Sequence, residues 1–275
     1  MVDCPEVKEI YVSPDHFQYG NISSITKLTA LKRLVVGEHC FVDSIEVDGE
    51  RMCSLADWEG IEDIEIGNRC FMYYNSLRWS NMKTLKTISF GNKCFQEVYI
   101  FELTDLPSLE TITIGAGCCH SDRQIRSDSL CRISNCPSLR HLEIGDYRFN
   151  NFLLFELSNL GSLHSIQIGD YCVANVSTFI LNDLPYLKTV TIGVGCCNLD
   201  SAIVGDHRCR ISNCPSLRHL EIGDYSFNTF KAFELENVNS LQKLMIGRNC
   251  FAYSDFSLRS MYIDRECQKM VICGQ

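Results

Sequence analysis

The sequence predicts a repeat solenoid, mainly β, running as a single domain over residues 1–275 in about ten stacked turns. Three observations predict it. A heptamer of the form L-x-x-I-x-I-G recurs along the chain. Its glycines, from Gly37 to Gly247, are spaced 30, 24, 24, then 30, 24, 24, then 30 and 24 residues apart, which makes a 78-residue block of three turns. A second apolar segment, F-x-L-x-x-L-P-S-L in its fullest form, sits between successive heptamers.

The heptamer comes first in each turn. Copies run through Leu31, Leu34, Val36 and Gly37; through Ile61, Ile64, Ile66 and Gly67; and through Leu85, Ile88, Phe90 and Gly91. They continue to Gly115, Gly145, Gly169, Gly193, Gly223 and Gly247. A weaker copy at Val7, Ile10 and Val12 precedes them, and residues 252–275 read as a degenerate last turn or cap through Val271, Cys273 and Gly274. The I-x-I alternation predicts a short strand with one buried face. The glycine is expected to turn the chain at positive φ, where it carries no Cβ penalty. The second segment, as at Phe101, Leu103, Leu106 and Leu109, also alternates at its start, and Pro107 limits its continuation. It is expected to be a second extended piece. The segment C-R-I-S-N-C-P-S-L-R-H-L-E-I-G-D-Y stands at 131–147 and again at 209–225, the mark of a duplicated three-turn block.

Exposed positions give the register. In the second segment, successive turns carry Arg78, Glu102, Arg132, Glu156, Ile180, Arg210 and Glu234. The position after the leading Leu carries Lys32, Glu62, Lys86, Glu110 and Arg140. Stacked at about 4.8 Å, these charges face opposite neighbours. Each exposed pair contributes only about 0–1 kcal/mol, so stability must come from the buried Leu, Ile and Phe columns.

The chain has 17 cysteines, and their positions are periodic. Cys40, Cys70, Cys94, Cys118, Cys172, Cys196 and Cys250 all stand three residues after the glycine, with Arg148 and Ser226 interrupting the column. A free thiol packs as a small apolar group, and reduced thiols suit a reducing compartment. In two of the 30-residue turns, Cys119 and Cys197 replace a Phe, Cys131 and Cys209 replace another Phe, and Cys136 and Cys214 replace a Leu. Core packing, with Ile125 and Ile203 tucked inward to fill the lost volume, is one reading. A zinc site from Cys118, Cys119, Cys131 and Cys136, and its copy at Cys196, Cys197, Cys209 and Cys214, is the other. No C-x-x-C spacing supports the second, and the expectation is no metal and no cofactor.

These motifs resemble the leucine-rich-repeat superfamily, closest to BspA-like repeats with a Cys- or Ala-Phe pair after the core. The resemblance runs from about Val7 to Phe251. It departs from the common pattern in placing Cys four residues after the third apolar position, behind the glycine. That puts the usual asparagine ladder in doubt and leaves a parallel β-helix as the alternative fold. The resemblance implies protein or ligand binding on a repeat surface rather than chemistry.

Composition bounds the function. A net charge of −9 argues against a general nucleic-acid binder. The N-terminal residues carry charges and lack an apolar export core, and no stretch of about 18 apolar residues could insert in a membrane, so the chain is expected to be cytoplasmic. The expected role is a non-enzymatic scaffold for another protein, with end-to-end self-association a further expectation. Alternatives are a carbohydrate-active enzyme of the β-helix type and a metal-stabilised structural repeat. Candidate binding residues on the outward face of the first strands are Arg33, Asp63, Glu65, Thr87, Thr111, Thr113, His141, Glu143, Ser165, Thr189, His219 and Glu221. The long loops at 42–52, 120–130 and 198–208 add Arg123, Arg126, Asp206 and His207; they read equally as recognition loops or tolerated insertions. His141 with Glu143, repeated as His219 with Glu221, shares a strand face and so allows an acid–base pair, but no nucleophile motif accompanies it. Tyr147, Tyr171 and Tyr225, in the G-D-Y corners, read as corner covers or an aromatic edge.

Overall fold

The structure is a computed structural model that describes residues 6–18, 28–42, 51–56, 58–120, 126–147, 149–150, 152–198, 207–252 and 269–272. The described residues hold strands and turns and no helix. In chain order the strands are β1 (Glu9–Val12), β2 (Arg33–Val36), β3 (Met52–Ala56), β4 (Asp63–Ile66), β5 (Ser76–Ser80), β6 (Thr87–Phe90) and β7 (Ile100–Thr104). Then follow β8 (Thr111–Ile114), β9 (Leu130–Ser134), β10 (His141–Ile144), β11 (Leu154–Ser158), β12 (Ser165–Ile168) and β13 (Thr178–Asn182). The last are β14 (Thr189–Ile192), β15 (Arg208–Ser212), β16 (His219–Ile222), β17 (Ala232–Glu236), β18 (Lys243–Ile246) and β19 (Lys269–Ile272).

They form two parallel sheets. One has 11 strands in the order β1-β2-β4-β6-β8-β10-β12-β14-β16-β18-β19, and the other has 8, from β3 to β17. The heptamer builds the first sheet. The second apolar segment is more than an extended connector: it is a strand in every turn from β3 to β17. Its inward residues, Phe101, Leu103, Phe155 and Leu157 among them, are fully buried against Ile88, Ile112 and Leu142 from the first sheet. A third wall comes from the P-S-L corners. Leu106 and Leu109, Leu160 and Leu163, and Leu184 and Leu187 are buried, and the carbonyl of the first of each pair accepts from the N–H of the second. Pro107 occupies the second position of its turn, where its fixed φ is suited.

Register follows the expected columns. Arg78 pairs with Glu102, Glu102 with Arg132, and Arg132 with Glu156. The charges meet as proposed, with Arg78 2.9 Å from Glu102 and Arg132 3.4 Å from Glu102 and 2.9 Å from Glu156. Lys32 and Lys86 both reach Glu62, at 3.0 and 2.7 Å. The last turn is shifted by one residue from expectation. β19 pairs Met270 with Leu244 and Ile272 with Ile246, so Met270 and Ile272 take the heptamer positions expected for Val271 and Cys273.

The glycine corner is corrected by the structure. Among the described glycines, only Gly117 and Gly195 have positive φ, and neither is a heptamer glycine. The heptamer glycines are required by close stacking. A Cβ on Gly115 would lie 2.6 Å from the Gly91 carbonyl carbon, and one on Gly223 would lie 2.6 Å from that of Gly193. The sharp turning falls on other residues. Arg69, Lys93, Tyr147, Tyr171 and Tyr225, two after the glycine, have φ of 53–61°, and Phe71 and Phe95, four after, have φ of 54° and 53°. Such left-handed corners are uncommon for large side chains. Here each is held by an inter-turn bond, as from Arg69 N–H to the Asn92 carbonyl and from Phe95 N–H to the Cys70 carbonyl.

The cysteine column lies in the same corner. Each thiol donates to a carbonyl of the preceding turn: Cys40 to Ser13 at 3.2 Å, and the later ones to glycine, Cys70 to Gly37 at 3.0 Å, Cys94 to Gly67 at 3.0 Å, Cys118 to Gly91 at 3.1 Å and Cys172 to Gly145 at 2.8 Å. Ser226, which interrupts the column, makes the same bond with its hydroxyl, to Gly193 at 2.9 Å. The column therefore needs a small side chain that can donate a hydrogen bond. Outside it, Phe17, Phe41, Phe71 and Phe95 stack with centroids 6.0, 4.9 and 5.1 Å apart.

The volume lost to cysteine is filled by an aromatic ring of the following turn. Cys131 lies between Phe101 and Phe155 in the second sheet, and Phe149 tilts across to meet Phe101 edge-on at 5.6 Å. Phe227 meets Phe179 at 5.4 Å past Cys209 in the same way. Ile125 and Ile203, expected to fill this space, lie outside the described residues.

Candidate binding surfaces

The outward face of the 11-stranded sheet carries the predicted residues in two columns. One runs Arg33, Asp63, Thr87, Thr111, His141, Ser165, Thr189 and His219. The other carries Glu65, Thr113, Glu143 and Glu221. All are exposed or half-buried. Half of them pair with one another: Arg33 with Glu65 at 3.1 Å, the Thr87 hydroxyl with Asp63, and His141 with Glu143 at 3.6 Å. The His141–Glu143 pair is about half exposed on both sides, so solvent screens it and it adds little to stability. His219 and Glu221 occupy the matching exposed positions of β16.

The loop candidates separate. Arg126 is pinned, bonded to Asp128 at 3.0 and 3.2 Å and lying 4.2 Å over the Tyr99 ring. His207 does not sit on the surface as expected. It is 8% exposed, packs edge-on against Phe230, and its carbonyl accepts from Lys231 and Ala232 in the next turn. Arg123 and Asp206 lie outside the described residues.

The eight cysteines weighed as metal ligands are all buried. Burial pushes the thiols of Cys119, Cys131, Cys197 and Cys209 well above the ordinary range, and those of Cys136, Cys196 and Cys214 up to about 12. Those seven pack in the apolar core as neutral thiols. Among the described residues no group of three or more His, Cys, Asp or Glu is placed to hold a metal ion.

No protein-family model, no curated protein and no solved structure matches this chain. Among the described residues no helix is long and apolar enough to cross a membrane.

Two further surfaces emerge from the stacking. The first is an Asn/Asp ladder at the end of the second sheet: Asn81, Asp105, Asn135, Asn159, Asp183, Asn213 and Asn237, all with φ of 54–60°. Asn135 donates to Asp105 at 3.0 Å, Asn159 to Asn135 at 3.2 Å and Asn237 to Asn213 at 2.8 Å. This ladder was overlooked in the sequence, where doubt fell on asparagines near the heptamer. Its signal was there, in the recurring S-N-C-P, T-D-L-P and S-N-L-G. The second is the left-handed corner beside the first sheet. One column runs His39, Arg69, Lys93, Gly117, Tyr147, Tyr171, Gly195, Tyr225 and Asn249, linked turn to turn by backbone bonds. Its tyrosines are 51–56% exposed, and Tyr147 stacks on Tyr171 at 5.8 Å. They are an exposed aromatic edge in its second half.

Proposed function

We propose that this chain is a non-catalytic scaffold that binds another protein on the outward face of its 11-stranded sheet. One observation carries the reading. Inward positions of that sheet repeat Leu, Ile and Val in nearly every turn, while the outward position beside them changes from Arg33 to Asp63, Thr87, Thr111, His141 and Ser165. Packing dictates the inward residues. The outward ones are released from packing and lie in register on a rigid backbone, which suits recognition of an extended surface. The buried thiols suit a reducing, cytoplasmic setting.

Within solenoids, the L-x-x-I-x-I-G pattern supports kinship with leucine-rich repeats. The full second sheet supports the backbone arrangement of a parallel β-helix.

Affinity capture with the intact chain and with a Thr111→Arg, Ser165→Arg variant tests the reading. A protein held directly by the intact chain and lost from the folded variant supports it. If every directly bound protein is retained equally by both, the sheet face is not the binding surface.

A further inference from the structure

We infer that the edge formed by Tyr147, Tyr171 and Tyr225, with the carboxylates of Asp146, Asp170 and Asp224 beside them, binds an arginine-rich segment of a partner protein. This corner is a different surface from the sheet face, and the inference stands independently of binding there.

The carboxylates carry a charge that the fold does not use. Asp146 accepts the Asp170 backbone N–H at 2.9 Å, Asp170 accepts that of Val194 at 2.8 Å, and Asp224 accepts that of Arg248 at 2.8 Å. In earlier turns Asn68 and Asn92 accept the equivalent bonds at 2.8 Å through neutral amides. An oxygen acceptor is therefore all that the stacking requires. Each Asp keeps a second carboxylate oxygen without a hydrogen bond and, among the described residues, has no ion pair. Like charges also stack at Arg140, His164, Lys188 and Arg218, so repulsion alone marks no site. What marks this corner is that each surplus carboxylate coincides, turn by turn, with an exposed ring.

The rings are surplus to packing in the same way. All three tyrosines are about half exposed, with φ of 53–61°, a backbone that large side chains rarely take. Arg69, Lys93, Gly117, Gly195 and Asn249 hold the same corner in other turns, so the fold does not call for an aromatic there. Duplication of the 78-residue block accounts for Tyr147 with Tyr225. It does not account for Tyr171, whose counterparts are Lys93 and Asn249. None of the three hydroxyls has a partner among the described residues. Tyr147 stacks on Tyr171, whose ring leans over Gly195: a Cβ there would lie 2.6 Å from it. Gly195 brings no ring of its own, so Tyr171 and Tyr225 stand two turns, about 9.6 Å, apart. A cation entering between their rings would lie within about 6 Å of each, the range of cation–π attraction.

Carboxylates beside aromatic faces select arginine among cations. A guanidinium is planar and weakly hydrated, so it stacks on a ring while its N–H fork meets a carboxylate; a lysine ammonium is a hydrated point charge and gains less from the ring. From Tyr147 to Tyr225 is three turns, about 14 Å, which four or five residues of extended chain would span. The edge is bounded by Lys93 on one side of it and by Arg248 on the other, which confines a basic segment to the turns between. The chain's net charge of −9 draws such a segment in and repels a polyanion.

The experiment is fluorescence anisotropy with a labelled hexa-arginine peptide, titrated with the full chain at low and physiological salt, and repeated with hexalysine. One variant combines Tyr147→Asn, Tyr171→Asn and Tyr225→Asn, which leaves the charge unchanged. Asparagine tolerates the left-handed backbone and already stands in this column as Asn249 with φ of 54°, so the fold is retained. A second combines Asp146→Asn, Asp170→Asn and Asp224→Asn, which keeps the bonds that Asn68 and Asn92 make. The charge-matched control is Glu6→Gln, Glu59→Gln and Glu110→Gln, at exposed positions outside these turns. Circular dichroism checks that each variant is folded. Saturable binding by the intact chain is expected, about tenfold weaker in each of the two edge variants, with hexalysine also weaker than hexa-arginine and less than about a twofold change in the control. The proposal is overturned if the intact chain does not bind hexa-arginine, or if the tyrosine variant binds it as tightly as the intact chain. It is also overturned if the aspartate variant and the control weaken equally, or if hexalysine binds as tightly as hexa-arginine.

Discussion

Replacing Asn135 tests whether the Asn/Asp ladder acts through its hydrogen bonds, its backbone conformation or both. Asn135 has φ of 56°, its amide donates to Asp105 at 3.0 Å, and its carbonyl oxygen accepts from Asn159 at 3.2 Å. Its backbone N–H reaches the Ser158 carbonyl of the next turn at 3.3 Å, which holds the residue in the left-handed region. Asn135→Gly keeps that backbone at no steric cost and removes the two side-chain bonds. At an exposed site these are worth about 0.5 kcal/mol each, so the loss is about 1 kcal/mol. Asn135→Ala removes the same bonds and also places a Cβ in the left-handed region, adding about 1–2 kcal/mol. The expected order of stability is Asn, then Gly, then Ala. With a urea dependence of about 2 kcal/mol per molar, the Gly and Ala variants separate by about 0.5–1 M in unfolding midpoint. Equilibrium urea unfolding followed by circular dichroism reads this, with hydrogen exchange of the Ser134–Asn135 region as a local check on a solenoid that need not unfold in one step. An alanine variant as stable as the glycine variant would refute the claim that backbone conformation selects Asn here.

Three other outcomes follow from the packing. Cys94→Ser is expected to keep the donor to the Gly67 carbonyl, as Ser226 does for Gly193, whereas Cys94→Ala strands that carbonyl and costs about 1–3 kcal/mol; thermal unfolding of the two variants should differ in that order. Gly115→Ala should destabilise by about 3 kcal/mol or more, because its Cβ would meet the Gly91 peptide at 2.6–2.7 Å and the backbone of neighbouring turns would have to part; an unchanged urea midpoint would contradict the stacking argument. Stability should fall steeply above pH 9. The thiols of Cys53, Cys136 and Cys214 are pushed by burial from 9.0 to about 12, so from pH 9 to 12 the unfolded chain loses protons that the folded chain retains. Each such thiol removes up to about 1.4 kcal/mol per pH unit in that window, and urea midpoints measured from pH 7 to 11 should show the decline begin near 9.

Much of the architecture was legible because a solenoid repeats the same local problem. Each I-x-I must bury one face, so Leu34 and Val36 or Ile112 and Ile114 announce a strand wherever they recur. The alternation of Arg78, Glu102, Arg132 and Glu156 announced the register, since only that stacking brings opposite charges together. The cysteine column was correctly placed in the core, though as apolar filling alone; that its thiols donate hydrogen bonds to carbonyls of the preceding turn needed coordinates. The candidate surfaces were less legible. His207 looked like a loop residue beside charged neighbours, yet the next turn covers it. The tyrosines Tyr147, Tyr171 and Tyr225 were legible as corner residues, but that they share one column with His39, Arg69 and Lys93 needed the stacked turns.

The sequence by itself determined the repeat length, the strand positions, the inward columns and the register, because period, alternation and charge are local or strictly periodic properties. Tertiary structure decided which backbone positions turn the corners, why the heptamer glycines are glycine, and which exposed residues form a continuous surface. The physical reason is that these depend on contact between successive turns. A glycine required by a neighbouring peptide 2.6 Å away looks the same in sequence as one required by positive φ, and only the stacked neighbour tells them apart.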